Sequence, residues 1–197
     1  LWVIHVAANS DRNSIASLEH DKVAISRMGS GSHLMAYINA QNLGWDTEKL
    51  RFEIIHNLDG AVESLTQGSG AYCMWEHFTT KPLVDKGIFN RVGNCPTPWP
   101  CFVVAANKNF LQANGGLVKH ILEVINTYTV EFKQIPSIDR TLSNRYEQQL
   151  EDIRQWLSKT HWGQEQLPEK TINEVQARLH DLNLIEEVQD ASHFLWK

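Results

Sequence analysis

The chain lacks the features that settle function for many proteins of its size. Its 18 Lys and Arg face 23 Asp and Glu, and no basic block stands out. A nucleic-acid footprint is therefore not expected. Counting Ala, Val, Ile, Leu, Met, Phe and Trp, the longest unbroken apolar run is Phe102 to Ala106. A membrane-spanning helix needs about 20 such residues, so none is expected. Three cysteines, Cys73, Cys95 and Cys101, cannot build a disulfide framework, and at least one is free; Cys95 and Cys101 are spaced to pair across a loop, but three reduced thiols are the expectation, which fits a reducing compartment. No two of the nine histidines lie closer than 13 positions, so no paired metal-ligand motif exists and no metal site is expected. Gly-x-Gly-x-x-Gly fails at Leu34, and neither a P-loop nor a Gly-x-Ser-x-Gly elbow occurs. The chain opens on Leu1 with no initiator Met and no charged leader, and is read as missing its true N-terminus.

What remains is 197 residues with 42% apolar content, long enough to bury a full core without staples. Trp2–Ala8, Lys22–Ser26, Arg51–His56, Ala71–Trp75 and Phe102–Ala106 read as strands. Between them lie helical patterns: Leu34–Ile38 stopped by Gly44, a helix capped by Asp59 and ended by Gly68, and Thr79–Asp85. Such alternation implies α/β architecture with a mostly parallel sheet. After Asn107 the texture becomes helical, with helices expected over Leu117–Phe132, Ser143–Lys159 and onward from Pro168 to Asn183.

Three segments can carry chemistry. Arg27, Gly29, Ser30, Gly31, Ser32 and His33 sit where a strand ends and a helix begins. Open α/β sheets bind ligands there, and a helix start presents free N–H groups and positive dipole charge. The glycines allow close approach and the serines add hydroxyls, which suits an anionic or polar group; alternatively, one serine simply caps the helix. Trp75 and Glu76 end a strand. They either stack on and accept from a polar ligand, or serve as core and cap. Trp99 stands among Pro96, Pro98 and Pro100 as a stiff pocket wall or as an ordinary loop residue.

The runs Leu1–Asn9, Ile25–His33, Met74–Glu76 and Pro98–Pro100 together resemble the type II periplasmic-binding-protein fold. Within it the resemblance is to the group that binds nitrate, sulfonates, taurine and thiamine pyrimidine precursors, a superfamily that includes thiamine-pyrimidine synthases. It implies two α/β lobes closing on a small molecule. Residues 10–99 would form one lobe; residues 1–9 and 100–197 would be crossing strands and helices of the other, incomplete one. It also implies a small-molecule ligand, a membrane transporter as partner, and an extracytoplasmic location, against which the free cysteines suit a cell interior. The cysteine-rich iron motif of the synthases is absent, so no cofactor is expected and the reading leans away from an enzyme. A thiamine-precursor enzyme and an intracellular sensor or interaction module stand as alternatives, the enzyme using Glu76 or His33 as acid and base.

Overall fold

The computed structural model describes residues 2–196; Leu1 and Lys197, which the expected terminal segments include, lie outside them. It divides into two compact units, Leu1–Pro98 and Trp99–Lys197.

The first unit is a five-stranded sheet in the order β3-β2-β4-β1-β5. The strands are β1 (Trp2–Ala7), β2 (Lys22–Ile25), β3 (Arg51–Ile54), β4 (Tyr72–Glu76) and β5 (Phe89–Cys95). β2 pairs in parallel with β3 and β4, while β1 runs antiparallel to β4 and β5. Four strands therefore share a direction and β1 opposes them. The three central strands of the sheet, β2, β4 and β1, are buried on both faces, and the edge strands β3 and β5 are partly exposed. Val3, Ile4, Val6, Val23, Ile25 and Met74 are wholly enclosed, as near-continuous apolar strands require. The sheet is covered by α1 (Gly31–Leu43), α2 (Leu58–Gln67) and α3 (Lys81–Asp85). Ala61 and Leu65 of α2 pack with Ala7, Ala24, Cys73 and Phe89, and Leu83 and Val84 of α3 close the edge of that cluster.

Helix boundaries follow local chemistry. Gly44 and Gly68 end α1 and α2 in the left-handed conformation that a side chain disfavours, each returning its N–H to the last helical turn. α2 is capped by Asn57 rather than Asp59: Asn57 Oδ1 accepts the Gly60 N–H at 2.9 Å, and Asp59 sits inside the first turn. β5 is a strand the residue pattern hides. Asn90, Arg91, Gly93 and Asn94 break the apolar alternation, which an edge strand tolerates.

The second unit is helical: α4 (Lys108–Glu131, kinked at Asn114), α5 (Ile138–Tyr146), α6 (Leu150–Lys159) and α7 (Glu169–Asp181). The single helix expected over Ser143–Lys159 is two. Glu147 adopts positive φ and donates its N–H to Ser143, ending α5, and the polar Glu147–Gln149 stretch has no apolar side to bury. Ile153 and Leu157 bury α6, and Ile172 buries α7. Gln176 of α7 is also buried, its amide both donating to and accepting from the Gln189 backbone. Trp162 meets Phe132 and Trp156 edge-on. The strand expected over Phe102–Ala106 does not form: the segment is exposed and has no pairing partner among the described residues. No helix among those residues is long and apolar enough to cross a membrane.

Candidate functional site

The strand directions bring the carboxyl ends of β2, β3, β4 and β5 and the start of β1 to one rim. On that rim β2 runs out at Ile25, and residues 26–30 turn back into α1. Gly29 takes φ of 73°, which allows the reversal. Ser30 is the N-cap of α1, its Oγ accepting the His33 N–H at 3.3 Å. Ser32 reaches backward instead: its Oγ accepts the Ser26 N–H at 3.0 Å and lies 3.0 Å from Ser30 Oγ and 3.3 Å from Ser26 Oγ. Three hydroxyl hydrogens share two such contacts, so at least one is left to point elsewhere.

His33 is buried and braces the same turn. Its Nδ1 accepts the Gly29 N–H at 3.1 Å, which places the proton of the neutral ring on Nε2. The ring sits edge-on to Tyr37 and Phe52, at 5.1 and 4.8 Å. Burial pushes its pKa below the ordinary histidine value, so the ring is neutral near pH 7. His33 therefore acts here as an acceptor that holds Gly29 in place.

The N–H groups of Gly31 and Ser32 have no acceptor among the described residues, at the positive end of a 13-residue helix with no acidic residue in its first turn. Arg27 is exposed beside them and makes no ion pair among the described residues. Gly31 also admits a neighbour that the residue pattern does not reveal. A Cβ there would come within 3.0 Å of the Trp2 indole, and Trp2 pairs in register with Glu76. Trp2 thus joins the rim because an antiparallel strand places it there, a fact of topology rather than of spacing.

The other expected residues are distributed differently. Glu76 is on the rim, but its Oε2 accepts from the Phe78 N–H, the Thr79 N–H and the Thr79 hydroxyl at 2.8–2.9 Å. That carboxylate fastens the turn into α3. Trp75 alternates to the opposite face and packs against the cluster that includes Ala61 and Leu65. Trp99 is half-buried and belongs to the second unit. The structure therefore gathers Arg27 and Gly29–His33 with Trp2 and Glu76, and places Trp75 across the sheet from them. His56 is a rim residue outside the expected set: it has φ of 63°, and its N–H donates to the Ser26 carbonyl at 3.0 Å. No group of His, Cys, Asp and Glu suited to a metal ion occurs among the described residues.

The Ser32 hydroxyl is expected to be structurally necessary whatever the site binds. Ser32→Ala leaves the half-buried Ser26 N–H without its acceptor, which costs about 1–3 kcal/mol. A lowered urea midpoint with an unchanged m value would show it, and an unaltered midpoint would contradict it.

Residues 2–95 match the model of the Ca3427-like PBP family. No curated protein matches the chain. Solved structures do. The Candida albicans CA3427 gene product, described as having the generic periplasmic-binding-protein fold, superposes with a TM-score of 0.83 at 22% identity over 96% of this chain and 65% of its own. The periplasmic aliphatic sulphonate binding protein SsuA of Escherichia coli gives 0.69 at 18% identity, over 100% of this chain and 65% of its own. The alkanesulfonate-binding SsuA of Xanthomonas axonopodis pv. citri, bound to MOPS, gives 0.76 at 14%, over 99% and 69%. None of the three is described as binding a thiamine precursor. The chain spans about 65% of the length of the first two. Its mixed α/β sheet, its rim of strand ends and these superpositions establish that the chain has the periplasmic-binding-protein fold.

Proposed function

We propose that this chain forms part of a solute-binding protein whose ligand is a small organic anion, with a sulfonate as the leading class. The observation that carries the reading is the pair of unpaired N–H groups of Gly31 and Ser32 at the start of α1, with no acidic residue in the first turn to neutralise them. A helix start of this kind suits a tetrahedral oxyanion: two N–H donors and a serine hydroxyl match three oxygens, and the dipole favours the charge. Arg27 adds a positive field from the solvent side. Trp2, held against Gly31, offers an indole beside the bound group for an apolar tail. Gly29, Ser30 and His33 hold the turn, and Glu76 holds the neighbouring one. The lobe of residues 10–99, joined at the rim by Trp2, would supply this wall, and Trp75, turned to the other face of the sheet, would take no part in it. Two of the superposed structures are described as sulfonate-binding, which supports the choice of class. A membrane transporter is the partner such a role would need.

A thermal-shift series with methanesulfonate, a longer alkanesulfonate, nitrate and a thiamine pyrimidine tests this. At about 100 times its dissociation constant a ligand adds roughly 2.7 kcal/mol, which raises Tm by about 5–10 °C for a chain of this size. The expected result is a shift with the sulfonates that disappears in Gly31→Asp, where a carboxylate occupies the helix start. Arg27→Ala should weaken it about 2- to 5-fold, as expected for an exposed charge. A shift with the pyrimidine alone, or a sulfonate shift that survives Gly31→Asp, would overturn the assignment.

A further inference from the structure

The second unit holds a cavity of its own, of about 330 Å³, at the lower end of small-molecule sites and large enough for one or two rings. It lies between the end of α4, with the turn Phe132–Gln134 after it, and the loop at residues 160–164 that follows α6. Gln164 ties that loop to α4, its Nε2 donating to Thr129 Oγ1 at 3.0 Å. Trp162 supplies an aromatic wall. Phe132 and Trp156 meet it at interplanar angles of 65° and 77°, so they brace the indole without stacking flat on its face. Lys133 Nζ stands over the same ring, 5.8 Å from its centroid. That is the outer limit of a cation–π contact, so the ammonium is not seated on the face. Lys133 is exposed and makes no ion pair among the described residues. No Asp or Glu is among the lining residues, in a chain whose acidic residues outnumber its basic ones by 23 to 18. The Thr129 and Thr160 hydroxyls donate to the Ile125 and Trp156 carbonyls at 2.9 and 2.8 Å. The N–H groups of His161, Trp162 and Gly163 have no acceptor among the described residues.

We propose that this cavity is a second ligand site and that it takes an aromatic carboxylate of one or two rings. The ring lies offset on the face of Trp162, the arrangement aromatic pairs prefer. Lys133, a point charge on a flexible four-carbon stem, turns aside to admit the ring and then meets the carboxylate. Other ligand classes fit less well. A cation would find the indole face but also the Lys133 charge, with no acidic side chain in the lining to hold it. A neutral ring would leave Lys133 without a counter-charge, and an aliphatic anion would leave the indole face uncovered. Every lining residue belongs to the second unit, so the inference does not depend on which ligand the rim of the first unit binds.

Nuclear magnetic resonance of the protein isotope-labelled on tryptophan nitrogen tests it. The chain has 7 tryptophans, and Trp162→Phe identifies the indole N–H signal of Trp162 by its loss. The probe is unlabelled indoleacetate. It is compared with tryptophol, the neutral relative, with tryptamine, the cationic one, and with cyclohexaneacetate, which keeps the charge and loses the aromatic face. The expected result is a saturable movement of the Trp162 signal with indoleacetate. Affinity should fall about 2- to 5-fold for tryptophol and for indoleacetate with Lys133→Gln, as expected for an exposed charge. It should fall about 2- to 10-fold for cyclohexaneacetate. Tryptamine should bind most weakly of the three indoles, and Lys133→Arg should bind indoleacetate as the natural sequence does. Because Lys133 is exposed, its substitutions test the site without disturbing packing. A Trp162 signal unmoved by millimolar indoleacetate, tryptamine binding as tightly as the acid, or an affinity unchanged by Lys133→Gln would each overturn the proposal. Gly31→Asp separates the two sites. It should leave the indoleacetate titration unchanged, and a titration that it abolishes would place the acid at the rim and remove the cavity site. Failure of sulfonate binding with the Trp162 response intact would strike the rim's ligand assignment alone.

Discussion

Replacing Gly60 with alanine is expected to destabilise the first unit by about 3 kcal/mol, at the upper end of overpacking effects. Alanine is intrinsically better than glycine inside a helix by about 1 kcal/mol, so propensity alone predicts the opposite sign. Geometry decides. A Cβ on Gly60 would lie 2.0 Å from the Ile55 carbonyl oxygen and 3.0 Å from its carbon. Those are backbone atoms and cannot rotate aside. Ile55 is tied to β2 through its N–H to the Ile25 carbonyl, and His56 likewise to Ser26. Relieving the clash therefore means moving the segment that supports Ser26, whose N–H holds Ser32. The damage should reach the helix start, so the proposed anion binding should fall together with Tm. Gly116→Ala is the matched control. It is also a helical glycine, but its Cβ would meet nothing within 4 Å, and it should stabilise by about 0.5–1 kcal/mol. Equal effects from the two substitutions, read by urea denaturation, would show that propensity outweighs the contact.

The same geometry shows how far the residues disclose the site in advance. The Ser30 cap and the Gly44 and Gly68 stops are local events between neighbours in the chain, and pattern reading reaches them. So is the helix start at Gly31, since two glycines and two serines between a strand and a helix have few other uses. Trp2 and Gly60 are different. Each matters through a residue that folding brings to it: the Trp2 indole against Gly31, the Gly60 backbone against Ile55. Trp75 and Glu76 are adjacent in the chain, yet the two-residue period of a strand sends them to opposite faces, and only the register with β1 tells which face meets α1. Phe102–Ala106 shows the converse. Its residues have the pattern of a buried strand, but a strand also needs a neighbour, and among the described residues it has none, so the expected strand does not form.

Acid is expected to weaken the first unit through His5, a fully buried side chain on β1 that looks like any other residue in its strand. Its Nε2 lies 2.9 Å from Thr80 Oγ1, which also donates to the Glu76 carbonyl at 3.0 Å. Burial, with the charges of Arg91 and His77 nearby, lowers its pKa to about 4, and a contact with the Val3 backbone pulls weakly the other way. In the unfolded chain the same group titrates near 6.5. The folded state thus binds fewer protons, and its stability is fully present above pH 6.5 and declines as pH falls toward 4. The full difference corresponds to roughly 3 kcal/mol. His33, also lowered by burial, adds in the same direction. His5→Gln keeps a polar group near Thr80 but cannot titrate, so its urea midpoint should be lower at pH 7 yet flatter between pH 6.5 and 4.5. An identical slope in both proteins would place the acid sensitivity elsewhere. Thr80 links His5 to the Glu76 turn, where β1 and β4 meet in register, but the ring in the folded protein stays neutral until pH approaches 4, so the loss of stability above that pH comes from proton uptake by the unfolded chain. The proposed sulfonate binding should therefore hold steady between pH 6.5 and 4.5 in the natural sequence and in His5→Gln alike wherever the protein remains folded, while only the natural sequence loses stability over that window.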